Sequence, residues 1–180
     1  MFSGFNKVFI QGFILWSMKP RLVILRGKPT SGKSTAYMNL RKRKEMKNWL
    51  FVDHCVLKDS LGKDFGKKAL FSILKIVMPS RQNIIIEEMS RESIMKSLGK
   101  YVKKYNYQII VFQFEVSKRV AYKRDVQRAK EKWHPYMGKK KIDELHKMHE
   151  EKFDKSAILV DTDKLNKGKV IELILKKLKK

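Results

Sequence analysis

The stretch Gly27-Lys28-Pro29-Thr30-Ser31-Gly32-Lys33-Ser34 constrains this chain more than any other. It fits G-x-x-x-x-G-K-[ST], the pattern of a phosphate-binding loop, at every defined position. Its flanks fit as well. Arg21-Leu22-Val23-Ile24-Leu25-Arg26 is a short apolar run rich in strand formers, and Thr35 to Asn48 holds no Gly or Pro and many helix formers. Strand, loop and helix in that order are what the chemistry requires. The glycines let the backbone turn with its N–H groups inward, where they cradle phosphate oxygens. The helix N-terminus adds partial positive charge on the same side. Lys33 is placed to reach the β- and γ-phosphates and the Ser34 hydroxyl to ligate Mg2+. Gly27 through Ser34, with Thr35 beside them, are therefore expected to bind a nucleoside triphosphate such as ATP.

From Met18 onward, apolar runs of strand length alternate with helical patterns. The predicted strands are Leu22–Leu25, Leu50–Val56, Asn83–Ile86, Gln108–Phe114 and Ala157–Val160. The predicted helices cover Ser34–Lys47, Lys63–Val77, Arg91–Tyr105, Lys118–Lys132, Ile142–Phe153 and Lys167–Lys179. Such alternation implies an α/β fold, a parallel sheet with helices on both faces. Ile94, Leu98, Tyr101, Val102 and Tyr105 form a stripe at helical spacing, as do Val170, Ile171, Ile174, Leu175 and Leu178; both are core faces. Around Trp133-His134-Pro135-Tyr136-Met137-Gly138-Lys139-Lys140-Lys141 the pattern breaks. Flanked by helices, that segment reads as a lid closing over phosphates, within residues 118–153.

The 180 residues suit one domain, placed at residues 18–180. Residues 1–17 carry an apolar patch at Val8 to Trp16 without a small-residue cleavage site, so they read as an extension outside the fold rather than a signal peptide; a docked strand or surface anchor is the alternative. No run approaches the ~18 apolar residues of a membrane span. A single cysteine, Cys55, excludes an intramolecular disulfide and a Cys-based zinc site and suits a reducing cytoplasm. Forty-two Lys and Arg against 18 Asp and Glu give a formal charge of +24, which favours a polyanionic partner such as nucleic acid. Lysine spread evenly over the chain is equally the mark of a coding bias. Oligomeric state is not legible.

Phosphoryl transfer needs an acid beside the magnesium, cations on the moving phosphoryl group and a base for the acceptor hydroxyl. All belong at the C-terminal ends of the strands. Asn83-Ile84-Ile85-Ile86 runs into Glu87-Glu88, a Walker-B arrangement in which either carboxylate can hold Mg2+; an N-cap or surface role is the other reading. Arg124 and Arg128, four apart on one helix, share a face and can clamp a polyphosphate, unless they pair with Asp125 or Glu131; Arg119 is a weaker candidate. Asp53, at the end of the second predicted strand, is a candidate base, with a helix cap or a turn as the other reading, and Lys58 can bind an acceptor phosphate. His54 is a runner-up base. His146 and His149 beside Glu150 and Glu151 suggest a metal face less well than a solvated helix.

Together these residues resemble the P-loop kinases of the polynucleotide 5′-kinase and zeta-toxin type, from about Met18 to the C-terminus. Arg124-Asp125-Val126-Gln127-Arg128 is similar to that family's R-x-x-x-R lid pair, and Ile142 to Met148 resembles the helix that follows the lid. The resemblance implies a five-stranded parallel sheet in the order 2-3-1-4-5 and transfer of the γ-phosphoryl group of ATP, with Mg2+, to a hydroxyl, first of all the 5′-hydroxyl of a polynucleotide. It implies phosphate and magnesium binding by Lys33 and Ser34, ATP phosphates on Arg124 and Arg128, and a magnesium-side carboxylate at Glu88, or at Glu87 if the register slips by one. One departure stands out. The family's D-x-x-R after the second strand, aligned on Lys58, puts Cys55 where the base belongs, with Asp53 two residues earlier. A lysine in place of the arginine also weakens bidentate phosphate recognition. A sugar-nucleotide or small-metabolite kinase, a non-catalytic nucleotide-dependent nucleic-acid binder, and a nucleotide hydrolase serving a partner are the rival readings.

Overall fold

The computed structural model describes residues 19–87, 91–131, 136–150 and 155–179. The extension at residues 1–17, Glu88, the stretch from Trp133 to Pro135 and the end of the helix predicted to reach Phe153 lie outside the described residues.

Five strands build the sheet: β1 (Arg21–Gly27), β2 (Leu50–Val52), β3 (Ile84–Glu87), β4 (Gln108–Glu115) and β5 (Ile158–Asp161). All pair in parallel, in the order β2-β3-β1-β4-β5. The central strand explains why its sequence is apolar without alternation. Leu22, Val23, Ile24 and Leu25 are all fully buried because helices cover both faces. Each such side chain contributes roughly 1.5–3 kcal/mol on burial.

One face packs against α1 (Lys33–Arg41) and α7 (Lys167–Leu178), where Val23, Leu25 and Phe112 meet Tyr37, Leu40, Ile171 and Ile174. Behind the other lie α3 (Lys63–Val77) and α4 (Arg91–Lys104), with Leu22, Ile24 and Ile84 against Leu70, Leu74, Ile94 and Leu98. Both stripes read from the sequence thus face the core. Two further helices, α5 (Lys118–Lys130) and α6 (Gly138–Glu150), pack on each other beyond the strand ends. Their apolar contact is small: Val116, Ala121 and Ile142 are its buried members.

Three boundaries differ from expectation. The second strand stops at Val52 instead of Val56, because the Asp53 side chain accepts from the Cys55 and Val56 N–H groups and starts a helix, α2 (His54–Leu61). That helix lies so close on α3 that a Cβ at Gly66 would stand 2.6 Å from the Lys58 Cα. The helix predicted to reach Lys47 ends at Arg41 and is followed by a 3-10 turn at Lys44–Met46. Gly138 to Lys141, read as lid loop, already belong to α6.

Candidate active site

The phosphate loop leaves β1 at its C-terminal end and enters α1. Gly27, at φ 144°, is the residue the turn cannot replace: a Cβ there would sit 2.1 Å from the Phe114 carbonyl oxygen. That same oxygen accepts from the Lys28 N–H at 3.2 Å and fastens the loop to β4. Thr30 takes a left-handed conformation (φ 56°), uncommon for a β-branched residue, and its hydroxyl donates to the Ala121 carbonyl at 3.3 Å. Lys33 is buried and its ammonium donates to the Gly27 and Lys28 carbonyls at 2.8 and 2.9 Å, so its charge lies across the loop's own backbone.

The hollow has the chemistry of an anion cradle. The first-turn N–H groups of α1, from Lys33 through Thr35, have no acceptor within the helix. A Cβ at Gly32 would meet nothing within 4 Å. The buried Ser31 hydroxyl has no hydrogen-bond partner among the described residues. Pro29, half-buried, and Thr35, exposed, border the same loop.

Beside it, the Ser34 hydroxyl donates to Glu87 Oε1 at 2.7 Å, and Glu87 is 1% exposed at the end of β3, in register with Leu25. A hydroxyl and a buried carboxylate in contact are two oxygens of the kind Mg2+ takes, so the residues present fit that ion. Glu88 is outside the described residues; Glu87, one of the two carboxylates expected there, thus lies against the loop. Its charge, with that of Asp53, also reaches Tyr37 of α1, whose phenol is pushed well above its ordinary range by burial first and then by those carboxylates.

Asp53 serves as the N-cap of α2, with both bonds on Oδ1, from Cys55 N–H at 2.8 Å and Val56 N–H at 3.1 Å. Cys55 is the second residue of that helix, so it and Asp53 do not lie on one strand. Lys58 is half-buried on the same helix and His54 is buried at its start.

The lid arginines part company. Arg124 lies against the loop: its guanidinium donates to the Thr30 carbonyl at 3.1 Å, the Thr162 hydroxyl at 3.1 Å and the Thr162 carbonyl at 2.8 Å. It grips the cradle's backbone and the end of β5 together. Arg128 is half-buried with no hydrogen bond or ion pair to another described residue. Neither pairs with Asp125. That buried carboxylate instead accepts from the Met137 and Gly138 N–H groups at 3.2 and 3.0 Å, capping α6. His146, expected on a solvated helix, is 1% exposed, one turn after the buried Ile142. No group of three His, Cys, Asp or Glu among the described residues could hold a metal.

Two residues beside the loop, Gln113 and Glu115, were not among those read from the sequence. Lys28 of the loop pairs with Glu115 at 2.9 Å, and Glu115 also accepts from the Gln113 side chain at 2.9 Å. Gln113 is fully buried and its Oε1 has no partner among the described residues. Polar residues alternating into the end of an apolar strand, Gln113-Phe114-Glu115, were the available hint.

No family model matches the chain, and no curated protein matches it in sequence. Solved structures do. A gluconokinase from Sinorhizobium meliloti superposes with a TM-score of 0.61 at 16% identity, over 89% of this chain and 92% of that one. The fold is that of the P-loop kinases. A deoxyadenosine kinase from M. mycoides, bound to dATP, matches with a TM-score of 0.51 at 20% identity, over 89% of this chain and all of that one. A chain of the Pnkp1/Rnl/Hen1 RNA repair complex matches with a TM-score of 0.54 at 28% identity, over 78% of this chain and 48% of that one, so this chain spans about half its length. Among the described residues no helix is long and apolar enough to cross a membrane.

Proposed function

We propose that this chain is an ATP-dependent kinase that transfers the γ-phosphoryl group to a hydroxyl, with the 5′-hydroxyl of a polynucleotide as the acceptor. The observation that carries phosphotransfer is the contact of Ser34 with Glu87 at the mouth of the phosphate loop, a magnesium-side pair next to an anion cradle. The acceptor reading is supported by the 28% identity to the RNA repair chain and by the formal charge of +24.

In this reading the loop from Gly27 to Thr35 binds the triphosphate. Ser34 and Glu87, with Glu88 as the alternative carboxylate, hold Mg2+, which when bound neutralises phosphate charge. Lys33 moves from its backbone carbonyls onto the β- and γ-phosphates, so its charge is exchanged from weak acceptors to strong ones. Arg124 holds the cradle's shape, and Arg128, which makes no hydrogen bond or ion pair among the described residues, turns to the phosphoryl oxygens. Asp53 takes the acceptor's proton on Oδ2, since both its cap bonds fall on Oδ1. The acceptor oxygen bonds to the γ-phosphorus as the bond to the β-bridging oxygen breaks, and ADP leaves. Lys58 receives the acceptor's phosphate.

Incubation with γ-labelled ATP and a 5′-hydroxyl oligonucleotide tests this. Label on the oligonucleotide is expected, with Lys33→Ala and Asp53→Asn each lowering transfer by a factor of about 100 or more. A sugar or small-metabolite acceptor has its own support, because the gluconokinase likeness covers 89% of the chain against 78% for the repair chain. Label on gluconate and none on the oligonucleotide would decide for it. Oligonucleotide binding without transfer would leave only a nucleotide-dependent binder.

A further inference from the structure

The edge of the sheet opposite the phosphate loop carries its own concentration of charge. Helix α1 starts in the loop and ends at Arg41, about 12 Å away at 1.5 Å per residue. There Arg41, Lys42, Arg43 and Lys44 follow one another, then Lys47, all exposed. Helix α7 ends at the same edge, where Arg21 at the start of β1 donates to the Leu178 carbonyl, and it brings the exposed Lys176, Lys177 and Lys179. One acid interrupts residues 41–47. Glu45 is held below the ordinary carboxylate range by a backbone hydrogen bond, by Arg43 at 3.2 Å and, further off, by the field of Lys179. The two basic ends are therefore neighbours.

A helix macrodipole favours cations in its last turn, but the effect fades beyond it. It accounts for Arg41 and the α7 lysines, not for Lys42, Arg43, Lys44 and Lys47. Between these cations opens a groove of about 390 Å³ lined by Arg41, Met46, Lys47, Trp49, Leu50 and Phe51. Trp49 is half-buried against the core, so an anchored indole lines the groove together with two cations, Arg41 and Lys47. Phosphates next to a fixed aromatic are what a single strand offers and needs. An anionic lipid surface fits less well, because none of the large exposed apolar side chains lies within residues 41–51.

We propose that this basic edge, with Trp49 at its centre, is a second nucleic-acid contact that holds the body of a single-stranded polynucleotide away from the reacting end. The inference deepens the polynucleotide reading above and rests on it for the identity of the strand.

The test uses the full chain, a labelled single-stranded oligonucleotide and its affinity measured across salt concentrations. The triple variant Lys42→Glu/Lys44→Glu/Lys47→Glu changes exposed residues only. It is expected to flatten the slope of log affinity against log salt by about 2, at roughly 0.7 per lost phosphate contact. Trp49→Leu is expected to weaken binding roughly tenfold without changing the slope. ATP affinity stays at the wild-type level in the triple variant. Wild-type oligonucleotide affinity and slope in the triple variant would overturn the proposal even while label transfer continues. Loss of binding to vesicles of anionic lipid, with oligonucleotide binding intact, would overturn it too and give the surface to a membrane. No label transfer with the slope flattened would sink the kinase reading and leave this surface standing.

Discussion

The phosphate loop and the lid meet at Arg124, yet they are built by different physics. Backbone closes the loop: Gly27 presses on the Phe114 carbonyl, Lys28 N–H bonds to that carbonyl, and Lys33 donates to two carbonyls of the loop itself. Behind it stands a large apolar cluster that includes Val23, Leu25, Phe112 and Phe114. Side chains close the lid. Among the described residues its buried apolar members are Val116, Ala121 and Ile142, with Val120, Tyr122 and Met137 partly buried against them, and polar bonds add to these: Arg124 to Thr30 and Thr162, Asp125 to the start of α6, Tyr122 and Lys118 to Asp143. A cradle set in the core keeps its shape. A helix pair with a small apolar contact opens at lower cost than one packed into the core, as the proposed lid role requires.

The contrast breaks first at Gly27. Gly27→Ala puts a methyl group 2.1 Å from a backbone oxygen that cannot retreat without disturbing β4. A loss of about 3 kcal/mol in global stability is expected, with nucleotide binding abolished. Denaturant unfolding and titration with a fluorescent ATP analogue measure both; a folded, nucleotide-binding variant would mean that the loop is softer than its contacts indicate.

Arg124→Met comes next and should act on the lid alone. It removes three hydrogen bonds from a charged donor, worth about 2 kcal/mol to the docking of α5. Faster protease cleavage between α5 and α6, with an unchanged global unfolding midpoint, is the expected result. A fall in the midpoint as large as that of Gly27→Ala would show loop and lid to be one cooperative unit.

The same difference governs what could be read in the sequence. Every residue of the loop answers to a local backbone demand, and local demands leave a spaced pattern, which is why Gly27 to Ser34 could be read as one unit. That Glu87 lies against the loop followed only from the register of β3, with Leu25 opposite Glu87. Asp53 shows where local reading stopped. Leu50 to Val56 is an apolar run of strand length, and such a run does not say whether a carboxylate within it will cap the following amides. The close seat of α2 on Gly66 is tertiary and decides for the helix. Arg124 finds an acceptor 94 residues away, and no spacing reports a partner at that separation. His146 looked solvated because charged residues surround it in sequence, whereas burial depends on which elements pack around its helix.

Asp125 sharpens the comparison from inside the lid. Its two oxygens take the Met137 and Gly138 N–H groups, so one carboxylate fixes how α6 departs from α5. Asp125→Ala is expected to cost about 1 kcal/mol, as for a lost N-cap. Hydrogen exchange should locate that loss in α6 and leave α1 as protected as before. A loss spread evenly over both helices would contradict the division drawn here.

The smallest effect is a pH dependence confined to the lid. Tyr122 donates to Asp143, and Lys118 lies 3.3 Å from the same carboxylate. The phenol's hydrogen bond, then the Lys118 ammonium, hold the Asp143 carboxyl below its ordinary value. A carboxylate depressed on folding contributes stability that is present above its unfolded value and is lost as pH falls through the folded one. The Tyr122 phenol is pushed up to about 12, chiefly by the bond to Asp143. A proton held more tightly in the folded state adds stability below the unfolded value near 10, which is lost as pH climbs from there toward about 12. The pair therefore favours a docked lid across the neutral range and releases it at both extremes. In Tyr122→Phe the alkaline limb should vanish and the acid limb become shallower in thermal melts followed across pH, because the phenol is gone and Asp143 keeps only Lys118 as a close partner. A variant curve that overlays the wild type would mean that the lid's closure owes nothing to this contact and rests on Arg124 and Asp125 alone.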